Sequence, residues 1–240
     1  MASIEENFDK WNNDYAWGDD GEEWSAHWGT SEVQWNDWIL PRVKQYLPQK
    51  SILEIGPGHG RWTTYLRDYC QHLDIVDLSP RCIAYCMARF SDSDNISYHV
   101  NGGDDLNAIS NSSIDFIFSF DSLVHAEADV CYKYLYQIGE KLTQDGVCFL
   151  HHSNLGCYAR ALPQFALPRI ECWRSRTMTA DLIVQYCIDA GLCCFKQELV
   201  AWGGSEWLID GLSYLTPINS KFSQQHREIA TVQPPRNATL

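Results

Sequence analysis

The chain has 240 residues, 45% of them hydrophobic and 20% charged. That length suits one domain with room for a cap, and it buries enough surface that no disulfide or metal is needed to hold the fold. Lysine and arginine number 18 against 31 aspartate and glutamate, a net charge of −13. This balance excludes the clustered cations with which a nucleic-acid-binding surface releases counterions.

No run approaches the roughly 18 apolar residues of a membrane span. The acidic N-terminus MASIEENFDKW is neither a secretory signal nor a transit peptide, so a cytoplasmic protein without a membrane partner is expected. Of ten cysteines, Cys82, Cys86, Cys131, Cys148 and Cys187 fall inside apolar helix or strand patterns. They read as small buried hydrophobes, and reduced ones.

Residues 1–47 form a distinct segment. Six of the ten tryptophans, Trp11, Trp17, Trp24, Trp28, Trp35 and Trp38, stand in it, and its first 37 residues hold ten acids against one lysine. This is too aromatic for a disordered tail. Two readings are compatible: an extension packed on the core, and a helical lid whose aromatics close over a ligand. Ser31 and Gln34 suggest a capping box, followed by Trp35, Trp38 and Ile39 at helical spacing; Pro41 predicts a break or kink.

From residue 51 the chain alternates between strands and helices. Strands are predicted over 51–55, 73–78, 96–100, 114–120 and 147–151, the last started by an Asp145-Gly146 turn. Helices are predicted over 61–70, from Ser79-Pro80 onward, and over 124–142, where Val124, Ala128, Cys131, Leu135, Ile138 and Leu142 make an amphipathic stripe. Residues 153–176 lack periodicity and read as an insertion lining a substrate pocket, with Tyr158, Phe165 and Trp173 as its aromatics. A helix stopped by Gly191 and two strands, 193–201 and 207–215, joined through Gly203-Gly204, follow. Residues 217–240 read as a frayed polar tail. The alternation predicts an α/β fold, a mostly parallel seven-stranded sheet with helices on both faces and a C-terminal antiparallel hairpin. In such sheets the ligand lies beyond the carboxyl ends of the strands, at the switch point.

After the first strand stands Glu54-Ile55-Gly56-Pro57-Gly58-His59-Gly60. A dinucleotide fingerprint requires glycine at its first, third and sixth positions; the sixth here is Arg61. What remains is an acid followed by Gly-x-Gly-x-Gly, and LEIGPGHGRW closely resembles the first motif of class I S-adenosylmethionine-dependent methyltransferases. The resemblance covers roughly residues 50–216. It implies a Rossmann-like core over 48–216, S-adenosylmethionine as cofactor and S-adenosylhomocysteine as its product. By resemblance Glu54 lies beneath the methionine moiety and Gly56, Gly58 and Gly60 leave room for the cofactor. Asp77 accepts both ribose hydroxyls and Leu78 packs on the adenine. After the third strand, Gly102 and Gly103 stand where the family commonly carries an acid, which leaves Asp104 or the glycine backbone to serve the adenine. Phe120 and Trp28 complete the expected cofactor contacts.

The loop FSFDSLVHAEAD after the fourth strand lacks the proline-bearing motifs of base methylation and the paired glutamates of arginine methylation. It resembles the branch that methylates sugars, natural products or small peptides. His125 in this loop, with His151 and His152 ending the fifth strand, is expected to converge on the methyl group and take a hydroxyl proton. Oxygen of a hydroxyl or peptide carboxylate is therefore the expected acceptor, with a small amine, a non-catalytic cofactor-binding partner and a dehydrogenase as alternatives. Asp121, Glu127 and Asp129 with the histidines offer carboxylate–imidazole ligands, but no spacing is diagnostic and no metal is expected. A monomer or homodimer is expected.

Overall fold

The computed structural model describes residues 3–159, 173–202, 206–224 and 227–234. The predicted pocket aromatic Phe165, the Gly203-Gly204 link and the last residues of the tail lie outside them. Eight strands form one sheet in the order β3-β2-β1-β4-β5-β7-β6-β8. They are β1 (Gln49–Ile55), β2 (Cys70–Asp77), β3 (Ile96–Val100), β4 (Ile114–Ser119), β5 (Leu142–Ser153), β6 (Leu192–Ala201), β7 (Leu208–Pro217) and β8 (Glu228–Val232). Strands β1 to β5 pair in parallel, whereas β7 runs antiparallel between β5 and β6.

Alternation along each strand divides the core into two layers, because successive side chains point to opposite faces. Ile52, Phe116, Phe118, Phe149 and Tyr214 face one layer, shared with Trp35, Trp38, Ile39 and Leu66. Leu53, Ile117, Cys148, Leu150 and Leu215 face the other, shared with Cys131, Leu135, Ile138 and Ile183. The helices that supply these layers are α1 (Ile4–Phe8), α2 (Ser31–Gln34), α3 (Leu40–Val43), α4 (Thr63–Leu66), α5 (Pro80–Arg89), α6 (Ala128–Lys141), α7 (Gly156–Ala159) and α8 (Ala180–Asp189).

Several boundaries differ from expectation. The cap of α2 is Thr30, whose side chain accepts from Val33 N–H; Ser31 instead meets the Tyr65 hydroxyl at 2.7 Å. The chain stays helical through Pro41, with one wide turn (Trp35–Ile39) before it. The predicted 61–70 helix shrinks to α4 and a tight turn, and β2 starts at Cys70. Asp145-Gly146 does not start β5. Ile114 pairs with Leu142 and Phe116 with Val147, so residues 143–146 stand opposite Asp115 alone. The strand absorbs them as an irregularity held by the Thr143 hydroxyl, which donates to Asp115 at 3.0 Å. The eighth strand corrects the polar tail: Ile229, Thr231 and Val232 supply the β-branched content of an edge strand, and β8 pairs in parallel with β6.

Helix α6 leans on the segment after α8 through Gly139, whose added Cβ would stand 2.2 Å from the Ala190 carbonyl oxygen. Alanine ordinarily favours a helix interior over glycine by about 0.5–1 kcal/mol, but overpacking against backbone costs about 1–3 kcal/mol. Gly139→Ala is therefore expected to destabilise the fold by about 1 kcal/mol, read as a lower urea midpoint. A rise in the midpoint would show that the two helices are not closely apposed.

Candidate functional site

The strand order places the switch point between β1 and β4. A cavity of about 400 Å³ opens there, beyond the carboxyl ends of β1, β2 and β4, a size in the range of small-molecule sites. The loop after β1 forms one wall. Gly56 and Gly58 adopt φ of 72° and 57°, a region that L side chains rarely enter. An added Cβ at Gly56 would meet the Ser122 hydroxyl at 1.8 Å, and one at Gly58 would meet the Trp17 ring at 2.6 Å. Both positions thus admit a close neighbour: the loop after β4 at one and an N-terminal indole at the other.

Asp77 ends β2 and lines the cavity with Leu78, Gly103, Phe120 and Trp28. Its carboxylate accepts from Ser79 N–H at 2.8 Å and Gly58 N–H at 3.1 Å. Burial raises its pKa to about 6 against these hydrogen bonds. Glu54 and Gly60 do not line the cavity. Gly60 abuts Phe90. Glu54 sits beneath the loop, where one oxygen accepts from the Thr63 hydroxyl at 2.5 Å and the other has no partner among the described residues. Burial pushes its pKa up to about 8. Asp104 turns outward to Lys133 at 2.6 Å.

The three histidines do not converge. His125 alone lines the cavity; its Nδ1–H donates to the Trp173 carbonyl at 2.9 Å, and burial lowers its pKa to about 4. His151 and His152 are neighbours in β5 and point to opposite faces. His152 is enclosed between the Ser153 carbonyl (2.9 Å) and the Ser213 hydroxyl (2.8 Å). His151 stands one layer behind Asp121, 4.5 Å from the Phe120 ring. What reaches the cavity in their place is Asp121, second in the loop after β4, with Arg61 and Arg174. Asp121 was legible from its place after a strand; Arg174, at the end of an aperiodic segment, carried no such signal.

The N-terminal segment roofs the cavity. Trp11, Tyr15, Trp17, Trp24 and Trp28 all line it, with Trp11 5.0 Å from the His125 ring. Trp17 stacks on His59 at 4.3 Å, and His59 stacks in turn on Tyr85 at 3.8 Å. Polar ties complete the attachment. The Asn12 side chain accepts from the Ser79 hydroxyl at 2.9 Å and Arg81 N–H at 3.2 Å, and Arg61 donates to Ser25 at 3.0 Å. Trp173 meets Trp11 and Trp24 at about 6 Å, whereas Tyr158 packs on Trp207 away from the cavity. Among the described residues no group of three or more histidine, cysteine, aspartate or glutamate side chains forms a metal-binding cluster, and no helix is long and apolar enough to cross a membrane.

Glu54 has a raised folded pKa, so between its ordinary 4.5 and about 8 the folded state holds more protons than the unfolded one. Stability conferred by the protonated form is then lost as pH rises through that window, by at most about 1.4 kcal/mol per pH unit. Glu54→Gln keeps the shape and removes the titration. The variant's Tm relative to the parent is expected to climb between pH 5 and pH 8; a constant difference would show that Glu54 is solvated.

Residues 52–146 match the methyltransferase domain family. No curated protein matches the chain significantly. Among solved structures, a protein of Pyrococcus horikoshii OT3 is 16% identical, with a TM-score of 0.58 over 75% of this chain and 88% of its own. An S-adenosylmethionine-dependent methyltransferase of Clostridium acetobutylicum is 14% identical, with a TM-score of 0.59 over 77% and 91%. A geranyl diphosphate C-methyltransferase of Streptomyces coelicolor A3(2), solved with S-adenosylhomocysteine, is 11% identical, with a TM-score of 0.56 over 77% and 79%. The donor set suits that cofactor: a buried carboxylate at the end of β2 for a diol, a glycine loop for close approach, and aromatic faces for a sulfonium. Residues 52–146 thus match a methyltransferase domain, the chain shares its fold with S-adenosylmethionine-dependent methyltransferases, and the cavity suits S-adenosylmethionine as cofactor.

Proposed function

We propose that the protein transfers a methyl group to an oxygen of a small molecule, a hydroxyl or carboxylate of a sugar, natural product or short peptide. The observation that carries this reading is one cavity bounded by the glycine loop, Asp77 and His125 beneath an aromatic roof. Asp77 would accept the ribose hydroxyls, Leu78 would pack on the adenine, and Gly103 would face it with backbone. The cofactor supplies an electrophilic methyl group when bound. Trp17 and Trp28, as lid residues, would cover the sulfonium with their faces and exclude water that competes with the acceptor. Glu54 serves from beneath the loop, by position and not by contact. His125, neutral at physiological pH, would orient the acceptor's hydroxyl. The net charge of −13 favours such an acceptor over nucleic acid, in a cytoplasmic monomer or homodimer. An amine is the second reading, because the same aromatic faces attract a cation.

Mass-spectrometric screening for a gain of one methyl across sugars, phenols, amines and peptides tests the acceptor. Calorimetry with S-adenosylhomocysteine tests the cofactor site. Loss of a charge-assisted contact costs roughly 1.5–3 kcal/mol. Asp77→Ala is thus expected to weaken binding about tenfold to a hundredfold with circular dichroism near native. Undiminished affinity would place the diol elsewhere.

A further inference from the structure

We infer that Asp121, His151 and Asp210 form a proton relay running inward from the cavity, with Asp121 as the catalytic residue that takes the acceptor's proton. This rests on the methyl-transfer reading above, with a hydroxyl as the acceptor. Asp121 lines the cavity two residues past β4 and holds φ of 60°, a left-handed conformation without glycine. Such conformations cost energy, persist only where their surroundings enforce them, and cluster at active sites. Here the surroundings are charged. Asp121 Oδ2 accepts from Arg61 Nη2 at 2.7 Å. Its Oδ1 stands 3.2 Å from His151 Nδ1, which also accepts Asp121's own N–H at 3.2 Å.

Behind His151 the chain of contacts continues into a fully buried carboxylate. His151 Nε2 donates to Asp210 Oδ2 at 3.1 Å. Asp210 also accepts from Arg174 Nε at 2.5 Å, Arg174 Nη2 at 2.6 Å and the Trp202 indole N–H. The Asp210 bond fixes which His151 nitrogen carries the proton and leaves Nδ1 as the basic one, aimed at Asp121. Burial works against an imidazolium here, but the Asp210 and Asp121 carboxylates outweigh it and raise the His151 pKa. Burial also opposes the Asp121 anion, and His151 with Arg61 hold it ionised regardless. The neighbouring His152 faces the other side of the sheet and takes no part.

The step balances as follows. The acceptor oxygen forms a bond to the methyl carbon while the carbon–sulfur bond breaks and its electron pair stays on sulfur. The acceptor's proton passes to the Asp121 carboxylate and from Oδ1 to His151 Nδ1. The resulting imidazolium lies between two carboxylates and returns its proton to water through Asp121 when the site opens. Asp121 touches the acceptor; His151 and Asp210 are positioning residues.

Asparagine tolerates left-handed backbone, so Asp121→Asn preserves the turn while removing the charge. The test uses the full ¹⁵N-labelled chain with S-adenosylhomocysteine, the His151 imidazole signals being assigned by their absence from His151→Gln. In the parent, His151 is expected to titrate above its ordinary 6.5, and Asp121→Asn to lower that midpoint by about one pH unit. On an acceptor found by the screen, Asp121→Asn is expected to cut turnover about a hundredfold or more, and the parent's rate to rise with pH through the His151 midpoint. An unmoved midpoint, or turnover within about threefold of the parent, overturns the relay. Asp210→Asn is expected to lower the same midpoint; if it fails to fold for want of a partner to Arg174, Asp121→Asn decides alone. A parent chain that methylates nothing overturns the methyl-transfer reading instead, and the imidazole titration still decides whether Asp121 and His151 share a proton.

Discussion

Arg61 joins the roof of the site to its floor. It follows the glycine loop, is 6% exposed, and spends its two terminal nitrogens in opposite directions. Nη1 donates to Ser25 in the N-terminal segment and Nη2 to Asp121 after β4, while the guanidinium lies 4.3 Å above the Trp62 ring. Removing one partner of a buried cation is far more costly than the pair is worth. Arg61 is satisfied only when the N-terminal segment is seated and Asp121 holds its left-handed turn. The seating of the N-terminal segment and the turn of Asp121 therefore share one side chain.

Around that link the interior handles its charges in two ways. Some are paired outright: Arg174 with Asp210, and Arg42 with Glu198 at 2.7 Å. Others lose their charge to burial. Glu54 is held protonated up to about pH 8, and His59, His125 and His152 are held neutral down to about pH 4. Pairing suits positions where two elements must be fixed against each other, as Arg174 fixes the end of the insertion to β7. Neutralisation suits single elements packed in apolar surroundings, such as His59 between two aromatic rings. The acidity of the chain as a whole thus says little about its centre, where Arg42, Arg61 and Arg174 each meet a carboxylate.

The sheet and one wall of the cavity were legible in the sequence because both are local signals. Apolar runs ending in glycine or acid marked β1, β2 and β4, and the rule that ligands lie past strand ends pointed to Asp77 and to the Phe120-Asp121 step. Failures came where the decisive partner is distant. Ser31 and Gln34 fit a capping box, but Tyr65 and Ser25 claim their side chains. His151 and His152 looked like two bases; strand alternation sends one to each face, and only the position of β7 tells which meets a carboxylate. Asp210 lies mid-strand in an apolar run, and nothing in its neighbourhood distinguishes it from a residue facing solvent.

The aromatic roof acquires a second meaning beside these charges. Water over the cavity would screen the contacts of Asp121 with Arg61 and His151 and let each side chain relax toward solvent. Trp11, Trp17 and Trp24 bring large apolar faces to the same cavity, and excluding water strengthens the electrostatic contacts within it. A polar roof would offer Asp121 alternative partners and release its turn. The indole faces offer none, and the carboxylate stays aimed between Arg61 and His151. The tryptophans thereby set the medium in which a carboxylate on left-handed backbone and a buried imidazole face one another.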